Sequence, residues 1–362
     1  MNKNMERVNL LITCVGGQLS PWLLQALKNC SRLKVRSIGV DCRGDALGRA
    51  FADTFYQVPS GVDPAYPNHM LEICRKENVD ILFPTSDEEA IALAPYINRF
   101  AAEGVRISCP PATSLPLMRN KADMYDHLAG LGLPLPQYYR IRSVEELRTA
   151  AEKLGYPERD FVIKPTVGRG GRGVWIISQR LVSMLERNQG LSIDAMNLED
   201  YLLSAGEDVF QELIAMPLLP GAMYDVDVLA SSEGKPIYLV PRRRYHVRTS
   251  PFRGCWLDRN EAVLDLARRA QDLLRLPNLF DYDIILDDDD RPWLLEVNPR
   301  MSASVAVSIL HGVNLVEFAV LMLLGREVPK VEIPWGRGGK PYFDLVPVVE
   351  PNLMVAIDND RS

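Results

Sequence analysis

The sequence predicts an α/β protein, with an N-terminal doubly wound parallel sheet followed by a larger region whose sheets are antiparallel. Three observations carry that prediction. From residue 8 to about 110, short apolar runs alternate with helical segments, the pattern of parallel strands joined by crossover helices. Residues 161–177 then hold two strand-like runs around a glycine-rich loop, too close together for a crossover. Residues 281–297 repeat the hairpin pattern around four consecutive aspartates, Asp287 to Asp290.

Taken in order, Val8 to Thr13 reads as a buried strand, and Gly16-Gly17 as a turn. Ser20-Pro21 opens a helix, with Ser20 as N-cap. Val35 to Val40 is a second strand, and a helix from about His69 to Glu77 leads into a third at Val79 to Pro84. Thr85-Ser86-Asp87 caps the next helix, and Val105 to Ser108 is the fourth strand. Cys109-Pro110-Pro111 closes this domain. A helix follows from about Arg119 to Leu131, and Ser143 to Glu146 is a capping box that starts another. Later strands are expected at Val209 to Leu213, Tyr224 to Ala230 and Ile237 to Val240, then helices at Asn260 to Leu276 and Val313 to Gly325. The resulting division is 1–110, 111–208 and 209–362.

Composition excludes several classes. Lys plus Arg is 41 against 47 acidic residues, and the longest basic run is Arg242-Arg243-Arg244, which disfavours a nucleic-acid partner. The six cysteines are scattered without a CxxC pair, and the four histidines have no HxH or HExxH spacing. They read as reduced thiols of a cytoplasmic protein without a zinc site. No apolar stretch approaches the roughly 20 residues that cross a bilayer, and no signal peptide is expected.

The 281–300 hairpin carries the sharpest chemical signal. With Leu286 paired to Arg291, Asp281, Asp283 and Ile285 share a face with Leu294, Glu296 and Asn298. The other face, Tyr282, Ile284, Leu286, Trp293, Leu295 and Val297, is apolar and faces the core. Asp283 and Glu296 are then diagonal neighbours, roughly 7–8 Å apart at Cα. Oxygen donors without His or Cys select a hard cation such as magnesium. A solvated outer face accounts for Asp281 and Asp288 to Asp290 but poorly for Glu296-Val297-Asn298-Pro299-Arg300. In the earlier hairpin a strand delivers Lys164, and 168–173 contains four glycines in six residues. Such a loop lets backbone N–H groups approach phosphate oxygens, with Lys164 adding a point charge. No Gly-Lys-Ser/Thr opens a helix here, and the loop leads into a strand, so it is neither a Walker loop nor a dinucleotide fingerprint.

With Asn120-Lys121, Lys164-Pro165 and the glycine loop, Gln211-Glu212-Leu213-Ile214, Asp283 and Glu296 to Arg300 in that order, the chain resembles the ATP-grasp superfamily from Val8 to about Gly325. More narrowly it resembles a single unit of the carbamoyl-phosphate synthase large chain. The resemblance implies a two-lobed domain with ATP between two antiparallel sheets. Lys121 and Lys164 would contact the phosphates, and Gly168, Gly170, Gly171 and Gly173 would close over them. Gln211, Glu212, Leu213 and Ile214 would form the adenine hinge, with Ile214 a backbone contact. Asp283, Glu296 and Asn298 would bind two magnesium ions, and Arg300 would face the transferred phosphoryl group. Met223 stands where the family often has a glutamate at the ribose, and Asp225 is the substitute. Implied is an ADP-forming ligase that turns a carboxylate into an acyl phosphate and joins it to an amine, with amino acid-like substrates. The partners are small molecules, with no membrane or nucleic acid, and a homodimer is admitted.

Substrate recognition is left open between readings. Arg242 or Arg244 would bind phosphate or a substrate carboxylate if the run Arg242 to Arg248 is functional, and would be a solvated strand end otherwise. Asp87 and Glu88 would hold an amino group, or Asp87 caps its helix. Ser302 to Ser304 would line the acceptor side. The competing functions are bicarbonate phosphorylation, a dinucleotide-dependent oxidoreductase read from Gly16-Gly17 and Asp41, and a non-catalytic ATP-binding module.

Overall fold

Four helices and five parallel strands make the first layer of the computed structural model, which describes residues 5–168, 173–179, 194–205, 212–245 and 253–342. The strands are β1 (Glu6–Ile12), β2 (Leu33–Asp41), β3 (Thr54–Gln57), β4 (Ile81–Phe83) and β5 (Arg106–Ile107), in the spatial order β3-β2-β1-β4-β5. The helices are α1 (Ser20–Lys28), α2 (Tyr66–Glu77), α3 (Asp87–Leu93) and α4 (Ile97–Ala102). Strand order reverses at β1, so a crevice opens at the carboxyl ends of β1 and β4, where ligands of such sheets gather. Two caps differ from the sequence reading. Ser20 is the first helical residue of α1 and makes no capping bond, because Leu19 stands at the cap. Ser86, not Asp87, caps α3 by accepting from the Glu89 N–H. The four-residue edge strand β3 is half-exposed and has no apolar run to announce it.

Glu89 is buried at this crevice, where its carboxylate accepts from the hydroxyls of Thr13, just after β1, and Ser86, just after β4. Burial outweighs those hydrogen bonds and pushes its carboxyl up to about 7. The folded state therefore holds this proton where the unfolded chain has released it. Glu89's contribution is fully present below about pH 4.5 and is lost as pH rises to about 7, by at most about 3 kcal/mol. In Glu89→Gln the fall should vanish, so the variant gains on the wild type between about pH 5 and about pH 8 in urea unfolding. A constant difference across that range would sink the assignment.

The second sheet contains β6 (Tyr139–Ile141), β7 (Phe161–Pro165), β8 (Trp175–Ile177), β9 (Asp194–Met196) and β10 (Leu213–Pro217), ordered β6-β10-β7-β8-β9. β7 and β8 form the antiparallel hairpin read from the sequence. β10 pairs with β6 and β7, so this strand, assigned by sequence to the 209–362 segment, belongs to the second sheet. α5 (Leu115–Arg119) and α6 (Lys121–Gly130) precede it in the chain, and α7 (Val144–Leu154) packs on it. Asn120 caps α6 and Ser143 caps α7, while Gly155 closes α7 with a left-handed residue.

The third sheet is antiparallel throughout, with β11 (Met223–Ala230), β12 (Pro236–Arg244), β13 (Cys255–Leu257), β14 (Asn278–Leu286), β15 (Pro292–Asn298) and β16 (Gly338–Gly339) ordered β15-β14-β11-β12-β13-β16. The β11–β12 turn needs Gly234, whose φ is +77° and where a Cβ would lie 2.4 Å from the Arg275 carbonyl oxygen. The helix Glu261–Leu274 covers one face together with α6, in a core that includes Tyr125, Leu128, Val263, Tyr282 and Ile284. The helix Leu315–Leu323 is buried in a core shared by β1, β11 and β14, through Leu10, Leu229, Leu279 and Phe318, and this core joins the first and third sheets. Among the described residues no single helix is long and apolar enough to cross a membrane.

Candidate functional site

The β14–β15 hairpin presents its acids in register. Asp283 lies directly opposite Glu296, and Asp281 opposite Asn298. The sequence reading paired Leu286 with Arg291 and made Asp283 and Glu296 diagonal. Leu286 instead pairs with Pro292, and a bulge leaves Leu295 without a partner between the Asp283–Glu296 and Ile284–Leu294 pairs. One extra residue flips side-chain parity. Leu294 therefore joins Tyr282 and Ile284 in the core, and Leu295, placed in the core by the simple register, is only half-buried. The bulge also frees the Leu295 carbonyl, which accepts from the Tyr125 hydroxyl at 3.0 Å and from Lys164 Nζ at 3.5 Å.

The polar rows continue across the sheet. Asp225 on β11 sits between Arg242 and Asp283, and Asp227 sits between Val240 and Asp281. Carboxylate oxygens of Asp225, Asp281 and Asp283 lie within 4.8 Å of one another. Asp225 thus belongs to the carboxylate group. Asp281 is 1% exposed, so it is no part of a solvated outer face. Arg244 bonds both oxygens of Asp225 at 2.6 and 3.0 Å and reaches Asp283 at 3.3 Å. Arg300 Nη1 donates to Asp281 at 2.9 Å and Nη2 to the Asn298 side-chain amide oxygen Oδ1 at 3.2 Å.

Burial pushes the Asp283 carboxyl up to about 7, with Asp225 and Glu296 adding repulsion that Arg244 only partly offsets. Burial and the neighbouring acids likewise hold Asp281 well above the carboxylate range, against Arg300. Burial is the chief cause in both, so without a bound cation these carboxyls favour the protonated form, and a cation would hold them ionised. All the group's donors are oxygen, and such a set fits a hard divalent cation such as magnesium.

Two lysines converge on the same strand. Lys121, the first residue of α6, pairs with Glu296 at 3.0 Å and donates to the Gly168 carbonyl at 2.6 Å. Lys164, near the end of β7, is 8% exposed and reaches the Tyr125 hydroxyl at 3.3 Å, with its ammonium 5.2 Å from that ring's centre. Burial holds Lys164 below the ordinary lysine value, against Glu296 and Asp283. Tyr125 escaped the sequence reading, although it lies one helical turn after Lys121 on the same face. Gly168 and Gly173 flank the glycine loop. A Cβ on Gly173 would come 2.9 Å from Pro165 Cγ, so the loop returns against the strand that carries Lys164. Gly170, Gly171 and Gln211 lie outside the described residues, as do His246 and Arg248.

The Glu212 side chain pairs with Arg140 and Arg142 at 3.1 and 3.0 Å, and its carbonyl accepts from the Thr166 N–H. Leu213 and Ile214 follow in β10, with Ile214 wholly buried between Arg140 and Lys164. Two substrate assignments are overturned, and with them the reading of a solvated strand end. Arg242 is 0% exposed, binds Asp227 through two 2.7 Å hydrogen bonds and donates to the Ser304 hydroxyl, so it cannot meet a substrate. Ser304 accordingly supports Arg242 and is buried. Neither Arg242 nor Arg244 is a solvated strand end, since the Arg244 side chain is only 9% exposed.

Comparison with known proteins agrees with this arrangement. Residues 10–108 match the family model described as PylC-like, N-terminal domain, and residues 209–336 match ATP-grasp in the biosynthetic pathway with Ter operon. The carbamoyl phosphate synthase large chain of Clostridium acetobutylicum is 23% identical over 314 residues, which is 81% of this chain and 27% of that one. The chain thus spans little more than a quarter of such large chains. Among solved structures, N5-carboxyaminoimidazole synthetase from Staphylococcus aureus complexed with ADP has a TM-score of 0.64 at 16% identity, covering 91% of this chain and 80% of that one. L-amino acid ligase from Bacillus licheniformis has a TM-score of 0.59 at 17% identity, covering 88% and 75%. These two likenesses show the fold. An ATP-grasp family model over residues 209–336, relatives matched over most of the length and the shared architecture lead to one conclusion: the chain carries an ATP-grasp region and resembles a single unit of the carbamoyl-phosphate synthase large chain.

Proposed function

We propose that this protein is an ATP- and magnesium-dependent ligase that phosphorylates a carboxylate to an acyl phosphate and transfers the acyl group to an amine, with amino acid-like substrates. The observation that carries the reading is the meeting of Lys121, Lys164 and Arg300 with Asp283, Glu296 and Asn298 on one polar sheet face. The solved amino acid ligase of the same fold supports the substrate class.

When bound, ATP would supply the phosphoryl group and magnesium the charge that screens it. Two ions are proposed, held by Asp283, Glu296 and Asn298, with Asp281 and Asp225 completing the oxygen set. Lys121 and Lys164 bind phosphate oxygens, and each must first leave a protein partner, Glu296 for one and Tyr125 for the other. A carboxylate approaching the γ-phosphate is repelled by several kcal/mol in a poorly screened cleft. Arg300 and the two lysines offset that repulsion and spread the transition-state charge. Arg244 supports this chemistry by fixing Asp225 and Asp283, and contact with substrate is not required of it. The segment Glu212 to Ile214, together with Gln211, is proposed to hold the adenine. An amine would then attack the acyl carbon, with Arg300 facing the oxyanion; the C–N bond forms as the acyl C–O bond breaks, inorganic phosphate leaves and the amine gives up a proton.

The test is ADP release from MgATP over a panel of amino acids, small acids and bicarbonate, with hydroxylamine as trap. A hydroxamate with one amino acid is the expected outcome, and ADP with bicarbonate alone would favour the carbamoyl-phosphate-like alternative. Lys164→Ala should lower ADP release by roughly 10²–10³-fold, the usual cost of removing one positioned donor. Wild-type-like turnover in that variant, or no ADP with any acid, would overturn the reading.

A further inference from the structure

Among the described residues, Arg300 has one anionic partner outside the carboxylate group, and that partner comes from a helix beside the first sheet. Asp87, the first residue of α3, places Oδ1 3.0 Å from Arg300 Nε. The contact is an ion pair rather than an aligned hydrogen bond, since Asp87 Oδ1 is buried and receives no well-directed N–H. Asp87 is not needed as a helix cap, because Ser86 fills that place. The two side chains are 18% and 19% exposed, so solvent screens the pair incompletely.

Among the described residues, the remaining partners of Arg300 are Asp281, the side-chain amide oxygen of Asn298 and the Met301 backbone carbonyl. The first two are oxygens of the cation set. Once a cation draws on them, they hold Arg300 less, and Asp87 alone keeps a full negative charge against the guanidinium. Asp87 sits on a helix that starts at the crevice beside β4, so the anchor is independent of the hairpin it serves.

We propose that Asp87 is a positioning residue that holds Arg300 toward the transferred phosphoryl group when the acidic hairpin carries its cation. This rests on the ligase reading above. The test is calorimetric binding of MgADP, alone and with aluminium fluoride as a mimic of the phosphoryl group in transit, together with thermal melting. Asp87→Asn should bind MgADP as the wild type does and melt within a few degrees of it, but bind the aluminium fluoride complex roughly tenfold more weakly, the scale of one lost charge-assisted contact. Asp87→Glu should recover most of that loss. If Asp87→Asn binds both ligands like the wild type, or loses both equally, the positioning role is wrong while the ligase reading stands. If the wild type and Arg300→Ala alike gain nothing from aluminium fluoride, the role of Arg300 in phosphoryl transfer fails, and the proposal with it.

Discussion

Glu296→Gln should abolish ADP formation, by about a thousandfold or more, while the fold survives. Glutamine keeps the shape of the side chain on β15 and removes one charge. The loss scales with the several kcal/mol by which a bound cation stabilises charge in phosphoryl transfer, at about 1.4 kcal/mol per decade. Stability should change little, because two effects oppose. The ion pair with Lys121 is lost, and the 22% exposure of the Glu296 side chain limits its worth to about 1 kcal/mol. Repulsion from Asp283 directly opposite is relieved at the same time. ADP release, thermal melting and a magnesium titration of each form check this. Turnover near the wild-type rate would remove Glu296 from the cation set.

Much of the site was legible because its signals are local. Both hairpins, the cap at Ser143 and the placement of Lys164 before a glycine loop follow from residues within a few positions of one another. What was missed depends on long-range pairing. The bulge at Leu295 is invisible in a strand that reads Pro-Trp-Leu-Leu-Glu-Val-Asn, yet it decides which leucine is core and which carbonyl meets Lys164. Asp281 looked like a surface residue because nothing near it in sequence reveals that Arg300 and Arg244's carboxylate group enclose it. Tyr125 bonds a carbonyl 170 residues away. Asp87 looked like a cap because Ser-Asp before a helix suits either residue.

Arg242 shows the same limit at its strongest, and its replacement carries the largest expected effect on stability. Pro241-Arg242-Arg243-Arg244 reads as a basic, solvated strand end. Strand alternation instead buries Arg242 beside Asp227, with no exposure on either side chain and both Asp227 oxygens bonded. Serine hydroxyls of Ser304 and Ser308 complete the pair. Burial, with repulsion from Asp225 added, holds the Asp227 carboxyl above its ordinary value, even with Arg242 in place. Arg242→Met would therefore strand a buried carboxylate, a change that typically costs about 3–5 kcal/mol. That is a large share of the about 5–15 kcal/mol that holds a domain together, so a marked fall in the urea midpoint is expected. The double variant Arg242→Met/Asp227→Leu removes both charges and should regain most of the loss, because apolar packing can replace a buried pair at little cost. MgADP affinity of the double variant should match the wild type, since neither side chain reaches solvent. A single variant that kept full stability but lost nucleotide or substrate binding would mean that Arg242 meets a ligand after all.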